Sequence, residues 1–287
     1  MQATSSTTVN MNANITHKIA TDPLERLHIS VLKSTLGLPK RTSNASVWGD
    51  TGRHPLALKL SKLTIDYLNK LILLDNEDSE KLVRHAFVEQ KNLDLSWFSS
   101  IQRMTLLLDP TSDIKGRTTK PPNSVLCCKR GQDIFEEHWT TACQQNKKLA
   151  FSSTVKSKFQ LEPYIGECKH LECKLVGRWR MSAHKLNRET GRYGSKAGSI
   201  HHKCCGTCTN LDVIELLTEL PGEWNPILED EVHVMVSCPR YNNIRSKLKD
   251  TTKDLLETDV ASLFSAEQIK ECSIFIKKLL NERFKKK

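Results

Sequence analysis

Two short pairs constrain this chain more than anything else in it: Cys205-Gly-Thr-Cys208, and His233-Val-Met-Val-Ser-Cys238 further on. Three thiols and an imidazole make a four-ligand set for a soft, tetrahedral ion such as zinc, and such a set leaves no coordination position open. It therefore predicts a structural clip holding Zn2+ on Cys205, Cys208, His233 and Cys238, not a hydrolytic centre. Gly206 allows the tight turn that brings the first two sulfurs to one ion. His233 and Cys238 are five residues apart, which on a continuous α-helix puts them on different faces. A helix should thus stop near Ser237 and leave Cys238 in a turn. Pro239 suits the first position of a following helix, and a cysteine at a helix start ionises more easily. Twenty-four residues separate Cys208 from His233, longer than the usual finger spacing. Loop closure costs only about 0.6 kcal/mol per doubling of length, against roughly 10–16 kcal/mol from a structural zinc. Within that stretch Leu211, Ile214, Leu217 and Leu220 keep helical spacing before a Pro221-Gly222 break. Cys204, His201 and His202 are near enough in sequence to substitute as ligands.

The chain's 287 residues carry 43 Lys+Arg against 33 Asp+Glu, a net charge of +10 that favours polyanionic partners, nucleic acid first. Its ten cysteines are scattered, Met1 to Asn14 has no apolar signal core, and no apolar run approaches a membrane span. The expected compartment is reducing, nucleus or cytoplasm, with no secretion. No P-loop, dinucleotide fingerprint or H-E-x-x-H occurs, and the expectation is a chain that is not itself an enzyme.

The patterning predicts a mainly α fold: helical segments around the small Cys-Cys-His-Cys clip, with a disordered leader over 1–20. Residues 21–109 form a helical region. In it Pro23 opens a helix through Leu27, Val31 and Leu32 that Gly37-Leu-Pro39 closes. A long helix follows Pro55 on Leu56, Leu60, Leu63, Tyr67, Leu71 and Leu74, with further helices near 78–90 and 92–108. Residues 110–128 read as a flexible linker, 129–200 as a helical region (helices near 131–150 and 164–190), 201–248 as the knuckle, and 249–287 as a C-terminal helix with a basic tail. Ser265 and Gln268 suggest a capping box for the last helix, which runs through Ile269, Cys272, Ile276 and Leu279.

On a helical wheel over Leu171–Arg192, the cations Lys174, Arg178, Lys185, Arg188 and Arg192 fall within about 80° of one another. Leu175, Val176, Trp179, Ala183 and Leu186 take the other side. Between Lys174 and Lys203 the only acid is Glu189. A basic stripe of this kind suits tracking the phosphates of RNA or DNA. Trp179 on the apolar side is expected buried, and Tyr193 is a candidate for stacking on bases. Glu136-Glu137-His138 and Cys127-Cys128 read as surface and bystander groups.

The run Arg178-Trp-Arg-Met-Ser182-Ala-His184-Lys-Leu-Asn-Arg-Glu189-Thr-Gly-Arg-Tyr193, the cysteine pair, Glu229-Asp-Glu-Val-His233 and Ser237-Cys-Pro-Arg-Tyr241 together resemble the region after the polymerase in non-LTR (LINE-type) retrotransposon reverse transcriptases. Leu27 to Lys40, Asn44-Ala45 and Gly52 to Leu56 are similar to that family's linker just after the polymerase thumb. The resemblance implies a Cys-Cys-His-Cys zinc knuckle and RNA or DNA as partner. It also makes Thr209–Leu228 look like an insertion, since the family's cysteine-to-histidine gap is shorter. No Asp-Asp dipeptide carries two-metal nucleotidyl transfer, so the chain reads as the part of a retroelement protein beyond its catalytic domains. Two functions follow: a nucleic-acid-binding zinc-knuckle module, or an inert or repurposed remnant acting as a protein-interaction scaffold.

Overall fold

A computed structural model describes residues 22–73, 81–91, 93, 97–108, 122–190, 200–209 and 227–285. The predicted leader, most of the 110–128 linker, the periodic stretch from Leu211 to Leu220, Leu74, Arg192, Tyr193 and Trp224 lie outside them. The described residues are mainly helical, and their only β pairing is the antiparallel bridge of Cys204 with Leu228. The chain divides into two compact units, one of Met1–His28 with His54–Thr140, the other of Ile29–Arg53 with Thr141–Lys287. The 21–109 block of the sequence is therefore shared between them.

In the first unit the helices Leu56–Leu73, Lys81–Lys91 and Trp97–Leu108 meet around Leu68, Phe98 and Ile101, and Ile65, Leu108 and Cys127 make a second cluster. Polar residues set the helix starts. Asp22 Oδ1 accepts from the amides of Leu24 and Glu25, and the buried Glu25 accepts from Leu56 N at 2.7 Å. Asn123 Oδ1 accepts from Val125 N and Leu126 N, so the next helix runs Ser124–Gln145. Residues 124–128 are thus helical, not linker; the Asn123 cap, absent from the apolar periodicity, starts the helix early.

The apolar pattern of Leu56–Leu73 identified its inner face only in part. Of the residues it selected, Leu71 is buried but Leu60, Leu63 and Tyr67 are exposed, while Ile65 and Leu68, outside the pattern, are buried. Apolar residues occur nearly all round this helix, so periodicity alone cannot choose a side and packing decides. In Pro23–Thr35, likewise, Leu27 and Val31 are exposed, whereas Glu25, Ile29 and Lys33 are buried, as is Leu36 just beyond it. The two charged members are tolerated inside because each has partners: Glu25 bonds His28 and Leu56 N, and Lys33 Nζ donates to Lys40 O and Asn44 Oδ1.

The second unit is built on His170–Arg180, which packs against the C-terminal helix Ile269–Phe284 and against Pro163–Glu167. Ser265 does not form a capping box with Gln268; it opens a turn, and Ile269 N donates to its carbonyl. At the unit's centre the fully buried Arg180 pairs with Asp50 at 3.2 Å and Glu162 at 2.8 Å, and Lys156 pairs with the same Glu162. Tyr164 donates to Asp50 at 3.0 Å, and burial pushes its phenol well above the ordinary value. The Arg180 guanidinium lies 5.1 Å from the Phe264 ring. Two cations balanced by two carboxylates are what a low-dielectric interior requires.

Three helices of this unit end in the same way. After Thr35, Thr51 and Arg180 the chain turns through left-handed residues, Gly37 at φ 61°, Gly52 at φ 59° and Ser182 at φ 48°, with paired amide bonds back to the last turn. The last of these corrects the predicted 164–190 helix: it is three pieces, Pro163–Glu167, His170–Arg180 and Asn187–Thr190.

Candidate metal centre

The bridge at Cys204 and Leu228 starts the site. Cys205 N donates to Ile227 O and Glu229 N to Lys203 O, both at 2.9 Å, so the residues before the knuckle lie beside those after the long gap. Thr209 Oγ1 donates to Ile227 O at 3.2 Å and closes the gap from its other end. Cys205 to Cys208 is then a single turn, with Cys208 N and Thr209 N both donating to Cys205 O. Gly206 has no positive φ, and a Cβ there would meet nothing within 4 Å. The turn does not require glycine.

The second pair comes from a π turn, His233–Ser237, in which Cys238 N donates to His233 O at 2.8 Å. The five-residue closure brings Cys238 back over His233, which a plain α-helix would not. Cys238 itself is extended, and Pro239 opens the next short helix, here a 3₁₀ turn. Arg245 holds this corner, donating to the carbonyls of Val234 and Met235 at 3.2 and 3.4 Å, and to that of Cys238.

Cys205, Cys208, His233 and Cys238 converge, with one potential ligand atom from each lying within 4.8 Å of all the others, close enough to hold a metal ion. Cys205 and Cys208 each set their sulfur 3.7 Å from that of Cys238. His233 Nε2 is buried and has no hydrogen-bond partner among the described residues, while Nδ1 meets Ser237 Oγ at 3.0 Å. An orphaned buried nitrogen on the histidine of this group fits a ligand atom, and the Nδ1 contact fixes the ring as second partners of ligating histidines do. Burial pulls the His233 pKa down, which favours the neutral, ligating form. Burial, with the neighbouring thiols, pushes Cys208 up to about 12 and Cys238 upward. A cation among the sulfurs reverses that tendency, because a coordinating thiol loses its proton. Cys204 is not in the group; it is the bridge residue, and neighbours along an extended chain point to opposite sides. The side chain of His201 lies outside the described residues.

The acidic run before His233 is a hub whose role no pattern in the sequence announces. Glu229 accepts from Asn187 N at 2.9 Å and pairs with Arg283 of the last helix at 2.7 Å. Asp230 accepts from His233 N at 2.9 Å and pairs with Arg188 at 2.6 Å. Glu231 takes Ser182 Oγ–H and, at 2.8 Å, His184 Nε2. His184 Nδ1 accepts from Leu186 N, so Nε2 is the donor. Trp179 is buried as expected, its Nε1 donating to Met235 Sδ at 3.2 Å. The turn Met181–Leu186 is thereby fastened to the segment that carries His233. The only sequence signal was the density of polar residues in Ser182-x-His184 and Glu229-Asp-Glu231; nothing marked Arg283 or Arg245.

The predicted five-cation stripe does not survive the helix break at Arg180. Arg188 is taken up by Asp230, and Arg192 lies outside the described residues. Lys174, Arg178 and Lys185 nevertheless line one groove of about 470 Å³ together with Arg41. Arg178 Nε donates to Gly37 O at 3.0 Å. A smaller cavity of about 190 Å³ shares Arg41 and Lys185 and adds Lys148. Elsewhere, Glu136 pairs with His54 at 2.9 Å instead of joining His138, and Cys127 is core. No protein-family model, no curated protein and no solved structure matches the chain.

Proposed function

We propose that Cys205, Cys208, His233 and Cys238 hold one structural zinc ion, and that the basic groove beside the knuckle binds RNA or DNA through phosphates. The chain would then act as a non-catalytic nucleic-acid-binding module similar to the post-polymerase region of non-LTR retrotransposon reverse transcriptases. The observation that carries the metal reading is the sulfur spacing. A tetrahedral zinc with bonds of about 2.3 Å sets its sulfurs about 3.75 Å apart, and Cys238 Sγ stands 3.7 Å from each of the other two. Four protein ligands fill a tetrahedron, so the ion clips chain to chain and activates no water.

The groove supports the nucleic-acid reading. Its lining holds four cations and no acid, within a chain of net charge +10. The test is metal analysis followed by binding. Purified protein should carry equimolar zinc that Cys205→Ser or Cys238→Ser removes, and its affinity for RNA or DNA should fall as salt rises. Zinc-free protein with unchanged folding would overturn the first half; binding indifferent to salt would overturn the second. A protein-interaction scaffold is the second reading, favoured by the exposed Leu60, Leu63 and Tyr67 along one helix face. Zinc-dependent folding without any affinity for nucleic acid would select it.

A further inference from the structure

We infer that the groove takes a single strand, not a duplex, with an unpaired base laid against Phe284 and Leu280; this rests on reading the same groove as a nucleic-acid site. Its lining is of two kinds. Arg41, Lys174, Arg178 and Lys185 supply charge, while Leu171, Leu175, Leu280 and Phe284 supply apolar surface. That surface is not hidden: Leu171 is 77% exposed and Phe284 49%. A duplex offers a protein phosphates and base edges, its base faces being stacked on one another. The Arg283 guanidinium stands 5.8 Å from the Phe284 ring centroid, and against a duplex the rest of that exposed ring would gain no base face. A single strand offers both a phosphate and a free base face to one pocket. The volume of about 470 Å³ suits a group of nucleotide size.

The cations are also set in place beforehand. Gly37 lacks the Cβ that would sit 2.6 Å from Cδ and Cε of Lys174, so the lysine stem lies across the left-handed turn. The carbonyl of the same Gly37 holds Arg178. Both charged heads are thus referenced to one turn, and the smaller cavity joins Arg41 and Lys185 to Lys148, with Glu189 as the one acid in its lining. The strand chemistry is shared by RNA and single-stranded DNA.

The experiment uses the full, zinc-loaded chain and fluorescence anisotropy. The probes are an oligothymidylate of about 12 nucleotides, an oligouridylate of equal length, and the duplex of the first with its complement. At least one single strand should bind at least about tenfold more tightly than the duplex, and Phe284→Ala should weaken that strand about five- to 150-fold, the value of one base–aromatic stack. Phe284→Trp should restore it. Duplex binding should not respond to either change, whereas Lys185→Ala should weaken every probe. Tighter binding of the uridylate names RNA as the source, and of the thymidylate DNA. Equal or tighter duplex binding, or an equal Phe284→Ala effect on strand and duplex, overturns the inference while salt-dependent binding keeps the proposed function. Failure of every probe to bind overturns both.

Discussion

Ser182 closes the helix His170–Arg180 in a position that glycine usually takes, and replacing it separates two opposed effects. Its φ of 48° is left-handed, which costs an L-residue about 1–2 kcal/mol. Its hydroxyl donates to the buried Glu231 carboxylate, a bond to a charged acceptor worth about 1.5–3 kcal/mol. Ser182→Ala keeps the strain and loses the bond, so it should cost about 1.5–3 kcal/mol. Ser182→Gly loses the same bond but relieves the strain, less glycine's larger unfolded-state entropy. It should therefore be about 1 kcal/mol more stable than the alanine variant and still less stable than the parent. Urea unfolding at fixed excess zinc, followed by tryptophan fluorescence, measures the differences. The buried Trp179, its ring 5.2 Å from that of His184, reports on this turn. An alanine variant as stable as the parent would show that the Glu231 bond contributes nothing, and a glycine variant as stable as the parent would limit that bond to about 1 kcal/mol, the relief that glycine returns. Equal stability of the two variants would limit the strain of the turn to glycine's own entropy cost of about 0.5–1 kcal/mol, and a less stable glycine variant would refute the strain.

Replacing Arg188 by Ala should leave the salt dependence of nucleic-acid binding unchanged, since Asp230 already holds that cation at 2.6 Å; Lys185→Ala should flatten the log–log slope by about 0.9. Equal slopes for the two variants would contradict the groove. Gly52→Ala should cost at least about 1–2 kcal/mol, because its Cβ would stand 2.5 Å from Leu161 N in a left-handed turn. Gly206→Ala should stay within about 0.5 kcal/mol and keep the metal; comparable melting curves for the two alanine variants would refute this contrast. Burial, then Lys148, lowers the Lys33 pKa below 10.5, so in the window below 10.5 the unfolded chain binds more protons than the folded one. Stability of the parent relative to Lys33→Met should consequently rise with pH up to 10.5 and level off above it. A difference that stays flat from neutral pH to 10.5 would exclude a depressed Lys33.

The convergence of Cys205, Cys208, His233 and Cys238 is legible because ligand chemistry narrows the residue types to very few. The device that unites the second pair is not: a π turn and a β-bridge depend on backbone bonds that no side-chain pattern announces. The basic stripe failed for a related reason. The helical wheel assumes an unbroken helix, and the left-handed break falls at a serine, where glycine would have given warning. Lys185 still reaches the groove of Lys174 and Arg178, but by a turn instead of a helix face. The inner faces of Pro23–Thr35 and Leu56–Leu73 were legible only in part because partners far along the chain decide them. Glu25 is paid for by Leu56 N, and Ile65 by Leu108 and Cys127.

Asp50, which neutralises the buried Arg180, belongs to a segment separated from its partner by the whole of residues 54–140. On a ribosome adding about 5–20 residues per second, the helix Asn44–Thr51 is made of order ten seconds before Arg180 exists. For that interval its carboxylate lacks the Arg180 guanidinium with which it pairs in the folded chain. The protein's second unit thus has an early piece that waits, through the synthesis of residues 54–140, for the rest of it. A synonymous change that slows translation between Arg53 and Arg180 lengthens the wait without altering a single residue.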